Sequence, residues 1–204
     1  MLNNKTIAVV VPAYNESSQI KMVLDSMPDF VDRIIVVDDC SKDDTAKHVK
    51  DYFTNNLSPI GIPSLFKKEI TPTPYNKADV ELWKKAKKEI DYFTPSEVLN
   101  QDDENERIVL IQHKKNGGVG AAIATGYKWC KDHNIFCSAV MAGDGQMDPS
   151  ELESICSPII NEEIDYVKGN RLIHQSAWVV IPKVRFFGNS IFDNLFKYSE
   201  ITES

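Results

Sequence analysis

The residues best suited to chemistry lie in Ala139-Val140-Met141-Ala142-Gly143-Asp144-Gly145-Gln146-Met147-Asp148-Pro149, where an apolar run stops in a small-residue turn carrying two carboxylates and an amide. One carboxylate plus one amide oxygen suits a hard cation such as Mg²⁺ or Mn²⁺. Such an ion takes only one or two protein carboxylates and fills its shell with phosphate oxygens. A strand ending this way presents Asp144 at the carboxyl edge of a sheet, where open α/β folds bind ligands. Gly143 and Gly145 would leave room beside that carboxylate for a bulky anion to approach the backbone. Asp148 followed by Pro149 reads instead as the N-cap and first position of a helix.

A second candidate is Gln112-His113-Lys114-Lys115-Asn116-Gly117-Gly118-Val119-Gly120, a glycine cluster ahead of a helical pattern. Backbone amides at a helix N-terminus suit phosphate. The cluster is not a dinucleotide fingerprint, because the position where that pattern needs its last glycine is Ile123. No Gly-Lys-Ser/Thr follows, so it is not a Walker loop either.

Elements of a familiar kind must position these turns. Ile7–Pro12 and Val31–Val37 are continuous β-branched runs, as expected of buried parallel strands. The first leads through Ala13-Tyr14-Asn15-Glu16 into a helical spacing over Gln19–Met27. The second ends in Asp38-Asp39-Cys40-Ser41, and Lys42-Asp43-Asp44-Thr45 starts a helix through Phe53. Ile108–Ile111 is a third strand, followed by a helix over Ala121–Lys131. Ser138–Met141 is the fourth strand, Glu151–Ile160 a helix, and Tyr166–Arg171 a return to the sheet. Strand and helix in alternation predict a doubly wound α/β domain with one mostly parallel, Rossmann-like sheet flanked by helices.

The pattern breaks over 55–106. Pro59, Pro63, Pro72 and Pro74 interrupt it, and Asp102-Asp103-Glu104-Asn105-Glu106 closes it. Between them a helix over Lys77–Phe93 would put Val80, Trp83, Ala86, Ile90 and Phe93 on one face. This reads as an insertion on the sheet's rim, a solvated excursion or a partner surface. At the other end, 186–204 carries the stripe Phe187, Ile191, Leu195, Phe196 and Tyr198, which suits packing on the domain or contact with a membrane surface.

Composition bounds the function. At 204 residues the chain can bury a real core, and 42 % hydrophobic with 26 % charged residues is ordinary for a globular protein. A formal net charge of -7 argues against a nucleic-acid partner. Cys40, Cys130, Cys137 and Cys156 show no CxxC spacing, and no signal-peptide pattern precedes the first strand, so they read as reduced thiols. The expected location is cytoplasmic.

Pro12-x-Tyr14-x-Glu16, Asp38-Asp39, Asn116-Gly-Gly-x-Gly120 and Gly143-Asp144-Gly145-Gln146 follow the four strands in turn. In that order they resemble a family 2 glycosyltransferase of the GT-A fold, and within it the polyprenyl-phosphate sugar transferases. Gly169-Asn170-Arg171 with Arg185 and Asn189 resembles the acceptor-phosphate pattern of that group. The resemblance implies an inverting hexosyltransferase that moves a sugar from a UDP- or GDP-linked donor to dolichyl or undecaprenyl phosphate, with Mg²⁺ or Mn²⁺. The enzyme would be peripheral at the cytoplasmic face of a membrane. It implies that Pro12, Tyr14, Glu16 and Asp39 line the base and ribose, and that Ala13, Asp38, Lys114, Asn116, Gly120, Ala142 and Gly143 complete the nucleotide-sugar pocket. Asp144 and Gln146 would hold the metal, with Asp144 also touching the donor. Arg171, Arg185 and Asn189 would hold the acceptor phosphate, and Asp144, Arg171 and Arg185 would be the catalytic set. Ala142 stands where the family's metal motif usually has its first Asp.

A lipid phosphate is already ionised and needs cationic clamps, whereas a hydroxyl acceptor needs a carboxylate base. The two arginines favour the former. The alternatives are a family 2 transferase acting on a sugar hydroxyl, or a shortened, non-catalytic nucleotide-binding domain.

Overall fold

In the computed structural model, residues 1–53, 58, 60–64, 70–162 and 164–169 are described. The chain divides into two compact units, Met1–Asp165 and Tyr166–Ser204. The first holds all the regular structure described below. Of the second, only 166–169 are described; they form no strand, so the expected return to the sheet is not found there. Arg171, Arg185, Asn189 and the apolar stripe over 186–204 lie outside the described residues.

In the first unit, β1 (Ile7–Ala13) leads to α1 (Ile20–Asp25), and β2 (Arg33–Asp38) to α2 (Thr45–Lys50). Then come α3 (Lys77–Glu89), a 3₁₀ turn over Ile90–Tyr92, β3 (Ser96–Val98), β4 (Ile108–His113) and α4 (Val119–Asp132). β5 (Cys137–Val140) follows, and a 3₁₀ turn over Pro149–Glu151 opens α5 (Leu152–Asn161). The sheet order is β3-β4-β2-β1-β5. All pairings are parallel except β3 on β4. The α/β fold read from the strand runs is therefore the fold observed.

Strand alternation explains why these runs are apolar without a polar face. Val9, Val11, Ile34, Val36 and Leu110 point to one side, where Ile20, Val23, Leu24, Val49 and Leu152 cover them. Ala8, Val10, Ile35, Val37, Val109 and Ile111 point to the other, against Ala122, Trp129 and Cys130 of α4. Each fully buried Val, Leu or Ile contributes roughly 1.5–3 kcal/mol, so both faces carry the stability of the sheet. Gly126 lets α4 approach closely, since a Cβ there would lie 2.3 Å from Val10 Cγ1. All four cysteines are free, and Cys130, Cys137 and Cys156 are buried. No helix among the described residues is long and apolar enough to cross a membrane.

The insertion departs from its expected form in two ways. Its helix stops at Glu89, where a 3₁₀ turn takes over, and Ile90 is 60 % exposed while Val80 and Ala86 stay buried. Its end then joins the sheet, with Ser96 opposite His113, Glu97 opposite Gln112 and Val98 opposite Ile111. The Asn100 side chain continues the pairing beyond the strand, accepting from Leu110 N at 2.7 Å and donating to Ile108 O at 2.8 Å. Nearby, at the start of β2, the buried Arg33 guanidinium donates to Ile60 O at 2.7 Å and Glu104 O at 2.6 Å. That buried cation tethers both flanks of the insertion to the start of β2.

Candidate active site

After β1 the chain moves through β2 to β4 on one side, and β5 then adds on the other side of β1. The order reverses between β1 and β5, and open α/β sheets bind ligands in the crevice at such a switch point. The turns that leave these two strands carry Pro12–Glu16 and Ala142–Gln146. They are joined by Met141 N to Val10 O at 3.0 Å and Gly143 N to Pro12 O at 3.3 Å.

Asp144 is half-buried. Its Oδ1 accepts from Gln146 N at 3.1 Å, a tight local turn. Across the crevice, burial first, and then the charges of Asp144 and Asp43, push the Glu16 carboxyl above its ordinary value. Carboxylate oxygens are the hard donors that a divalent ion takes. Among the described residues, no group of three or more His, Cys, Asp or Glu side chains is placed to cage a metal by itself. One carboxylate, Asp144, is what an ion that completes its shell with phosphate oxygens would ask of the protein. Gln146 is exposed beside it. Ala142 N points to Met147 Sδ at 3.4 Å.

The glycines of this turn lie close to β1 and to the end of the Met22 side chain on α1. A Cβ on Gly143 would lie 3.2 Å from Pro12 O and 3.4 Å from Ala13 Cβ, and one on Gly145 would lie 2.5 Å from Met22 Cε. Gly145 also has φ +70, a left-handed conformation that side-chain-bearing residues rarely adopt. Space opens elsewhere: a Cβ on Gly118 or Gly120, at the start of α4, would meet nothing within 4 Å.

The loops after β1 and β2 are zipped together. Asn15 N donates to Ser41 Oγ, Lys42 N to Asn15 Oδ1, Glu16 N to Thr45 Oγ1 and Ser17 N to Asp43 Oδ2, all at 2.8–3.0 Å. Asp43 also accepts from Thr45 N at 3.0 Å. Burial alone would raise the Asp43 carboxyl, but the bonds from Thr45 and Ser17 outweigh it and lower it to about 2. Asp43, absent from the expected site residues, is therefore the clasp of these two loops. Tyr14, at the tip of the β1 turn, is exposed, Pro12 is half-buried and Ala13 is buried.

Asp38 and Asp39 are both buried. Asp38 accepts from Ser41 N at 3.2 Å and Gln112 Nε2 at 2.8 Å. Asp39 accepts from Gly117 N and Gly118 N at 2.7 Å each and meets His113 Nδ1 at 2.7 Å. Burial would raise the Asp39 carboxyl, yet the bonds from Gly117, His113 and Gly118 prevail and hold it below its ordinary value. Asn116 Nδ2 donates to Asp39 O at 3.2 Å, so the glycine loop hangs on this one residue. Lys114 is exposed, and its backbone N donates to Pro95 O at 2.8 Å. Thr94 of the insertion crowds Gly117, where a Cβ would lie 2.5 Å from its Oγ1. Asp148 accepts from Ser150 N at 2.9 Å ahead of Pro149, the helix cap expected of it.

The sequence was compared with known proteins. It is 28 % identical over 187 residues to a UDP-N-acetylglucosamine–dolichyl-phosphate N-acetylglucosaminyltransferase of Methanococcus voltae, covering 91 % of this chain and 60 % of that one. It is 24 % identical over 189 residues to an uncharacterized protein of Methanocaldococcus jannaschii, covering 92 % of this chain and 56 % of that one. The chain thus spans less than two thirds of the length of these relatives. The sequence model described as glycosyl transferase family 2 matches residues 8–64 and 93–203, stepping over the part of the insertion that holds α3. With every strand of the parallel core and both acidic turns inside that match, the chain belongs to glycosyl transferase family 2.

Proposed function

We propose that this chain transfers a sugar from a nucleotide-diphosphate donor to a polyprenyl phosphate. The observation that carries the reading is the turn after β5, which sets Asp144 at the β1/β5 switch point inside the family match. The relative from Methanococcus voltae is named for UDP-N-acetylglucosamine and dolichyl phosphate, which makes that donor and that acceptor class the first to test.

In this reading Asp144, with Glu16 across the crevice and Gln146 beside it, holds a divalent cation. A bound Mg²⁺ or Mn²⁺ would supply Lewis-acid neutralisation of the diphosphate leaving group, typically worth several kcal/mol. Pro12, Ala13, Tyr14 and the loop clasped by Asp43 flank the base, with Asp38 and Asp39 setting the floor beneath it. The amides at the start of α4, with Lys114, Asn116 and Gly120 around them, face phosphate. Arg171, Arg185 and Asn189 bind the acceptor phosphate, whose ionised oxygens attack without a protein base.

The test is transfer of radiolabelled sugar from UDP-N-acetylglucosamine with Mn²⁺ present. Label that moves into a chloroform-soluble product with polyprenyl phosphate supports the proposal. A water-soluble glycan product would assign a hydroxyl acceptor instead. Parallel melting curves with UDP, GDP and Mn²⁺ report donor binding, because a ligand that binds only the native state raises its melting temperature.

A further inference from the structure

We infer that His113 is a positioning residue for the nucleotide donor: buried beneath the glycine loop, it orients Asp39, and Asp39 in turn holds the Gly117 and Gly118 amides at the mouth of α4. The inference rests on the proposed donor site and adds to it a residue that touches no donor. Its side chain is buried at the end of β4. The ring is held at both ends, Nδ1 at 2.7 Å from Asp39 Oδ1 and Nε2 at 2.9 Å from Thr125 Oγ1 on α4. An ionised carboxylate only accepts, so Nδ1 carries a proton toward Asp39, and in the neutral ring Nε2 accepts from the threonine hydroxyl. The tautomer is therefore fixed by the two neighbours.

Asp39 has two oxygens and three strong donors, and their division matters. Gly117 N and His113 share Oδ1, while Gly118 N takes Oδ2. Without the imidazole, only the two amides of the loop itself hold the carboxylate about its χ2, a broad torsion with no sharp wells, so carboxylate and loop can shift together. Gly118, at φ +85 and with open space around its α-carbon, has no side chain to resist the loop's drift. Thr125 links the same ring to α4, so strand, loop and helix share one buried polar chain. Supporting groups of this kind around a binding site typically change affinity about 10–100-fold when removed.

The experiment compares two amide replacements of one buried ring, read by titration of UDP with Mn²⁺ into the full chain. His113→Asn places an N–H near the Nδ1 position and keeps the bond to Asp39. His113→Gln reaches toward the Nε2 position and keeps only the bond to Thr125. UDP affinity is expected to fall less than about threefold in the first and about tenfold or more in the second, with similar melting temperatures in the absence of ligand. Equal losses in both variants, or losses that follow the melting temperature, would overturn the inference. A wild-type chain that binds no UDP overturns the donor site as well, whereas wild-type binding with an unaffected Gln variant overturns this inference alone. If neither variant folds, nitrogen-15 spectra of wild-type His113 decide it. The Nδ1-protonated tautomer with slowly exchanging Gly117 and Gly118 amides supports the inference, and the Nε2-protonated tautomer overturns it.

Discussion

Two acidic turns leave neighbouring parts of the same sheet edge, and they put their carboxylates to opposite uses. After β2, Asp38 and Asp39 are buried and accept from Ser41, Gln112, Gly117 and Gly118, with His113 against Asp39. After β5, Asp144 is half-buried and takes one local bond from Gln146 N. Hydrogen bonds hold the Asp39 carboxyl below its ordinary value, whereas Glu16, which faces Asp144, is pushed above its own. A carboxylate whose lone pairs are taken up by its own chain builds the site. One with a single local bond keeps lone pairs available to a cation.

The contrast can be broken by experiment, beginning with its largest consequence. Asp39→Ala leaves two glycine amides and a buried imidazole without an acceptor. Stability should fall by about 3 kcal/mol, read from urea unfolding, and a loss below about 1 kcal/mol would deny Asp39 its structural role. Asp144→Ala should leave stability within about 0.5 kcal/mol of wild type while Mn²⁺-dependent UDP affinity falls at least about tenfold. Unchanged affinity would remove Asp144 from the metal site.

Asp43 gives a subtler test. Its carboxyl is depressed to about 2 in the folded chain, so the stability it lends is present above its ordinary value of 3.8 and is lost as the pH falls toward about 2. Asp43→Asn should flatten the acid limb of the stability curve in that window and lower the plateau above it. The smallest effect concerns Glu16. Its raised carboxyl costs stability as the pH rises through the interval above 4.5, because the folded state resists ionisation there. Burial is the larger cause, so Asp144→Asn should relieve only part of that cost. The gain over wild type should appear near neutral pH and vanish below pH 4.5.

Much of the sheet was legible because its cause is local. Ile7–Val11 and Ile34–Val37 can only be strands buried on both faces, and a proline after Asp148 marks a helix start wherever the chain goes. β3 was not legible. Ser96-Glu97-Val98 is short and exposed, and it becomes a strand only because β4 offers it an edge. Ile90, which the helical spacing puts on the apolar face, is exposed for a related reason: the spacing carries no mark of what packs against the end of a helix. At the site, the residue types around Asp144 point to metal chemistry, but the neighbours of Gly143 and Gly145 are not legible. Sequence reports that a Cβ is missing, and only the fold shows that Pro12, Ala13 and Met22 occupy the space. His113 could have been suspected only as a polar residue closing an apolar strand.

The order of the strands, the acidic character of the turns between them and the family they belong to were set by residues close together along the chain, where backbone preference and side-chain alternation act. Which acid braces the loops and which faces the crevice was decided only when distant segments met. Asp39 finds the Gly117 amide across a separation of 78 residues, and no local pattern encodes such a partner. A carboxylate's chemistry depends on how many of its lone pairs are already taken and on the charges nearby, and both are properties of the folded chain.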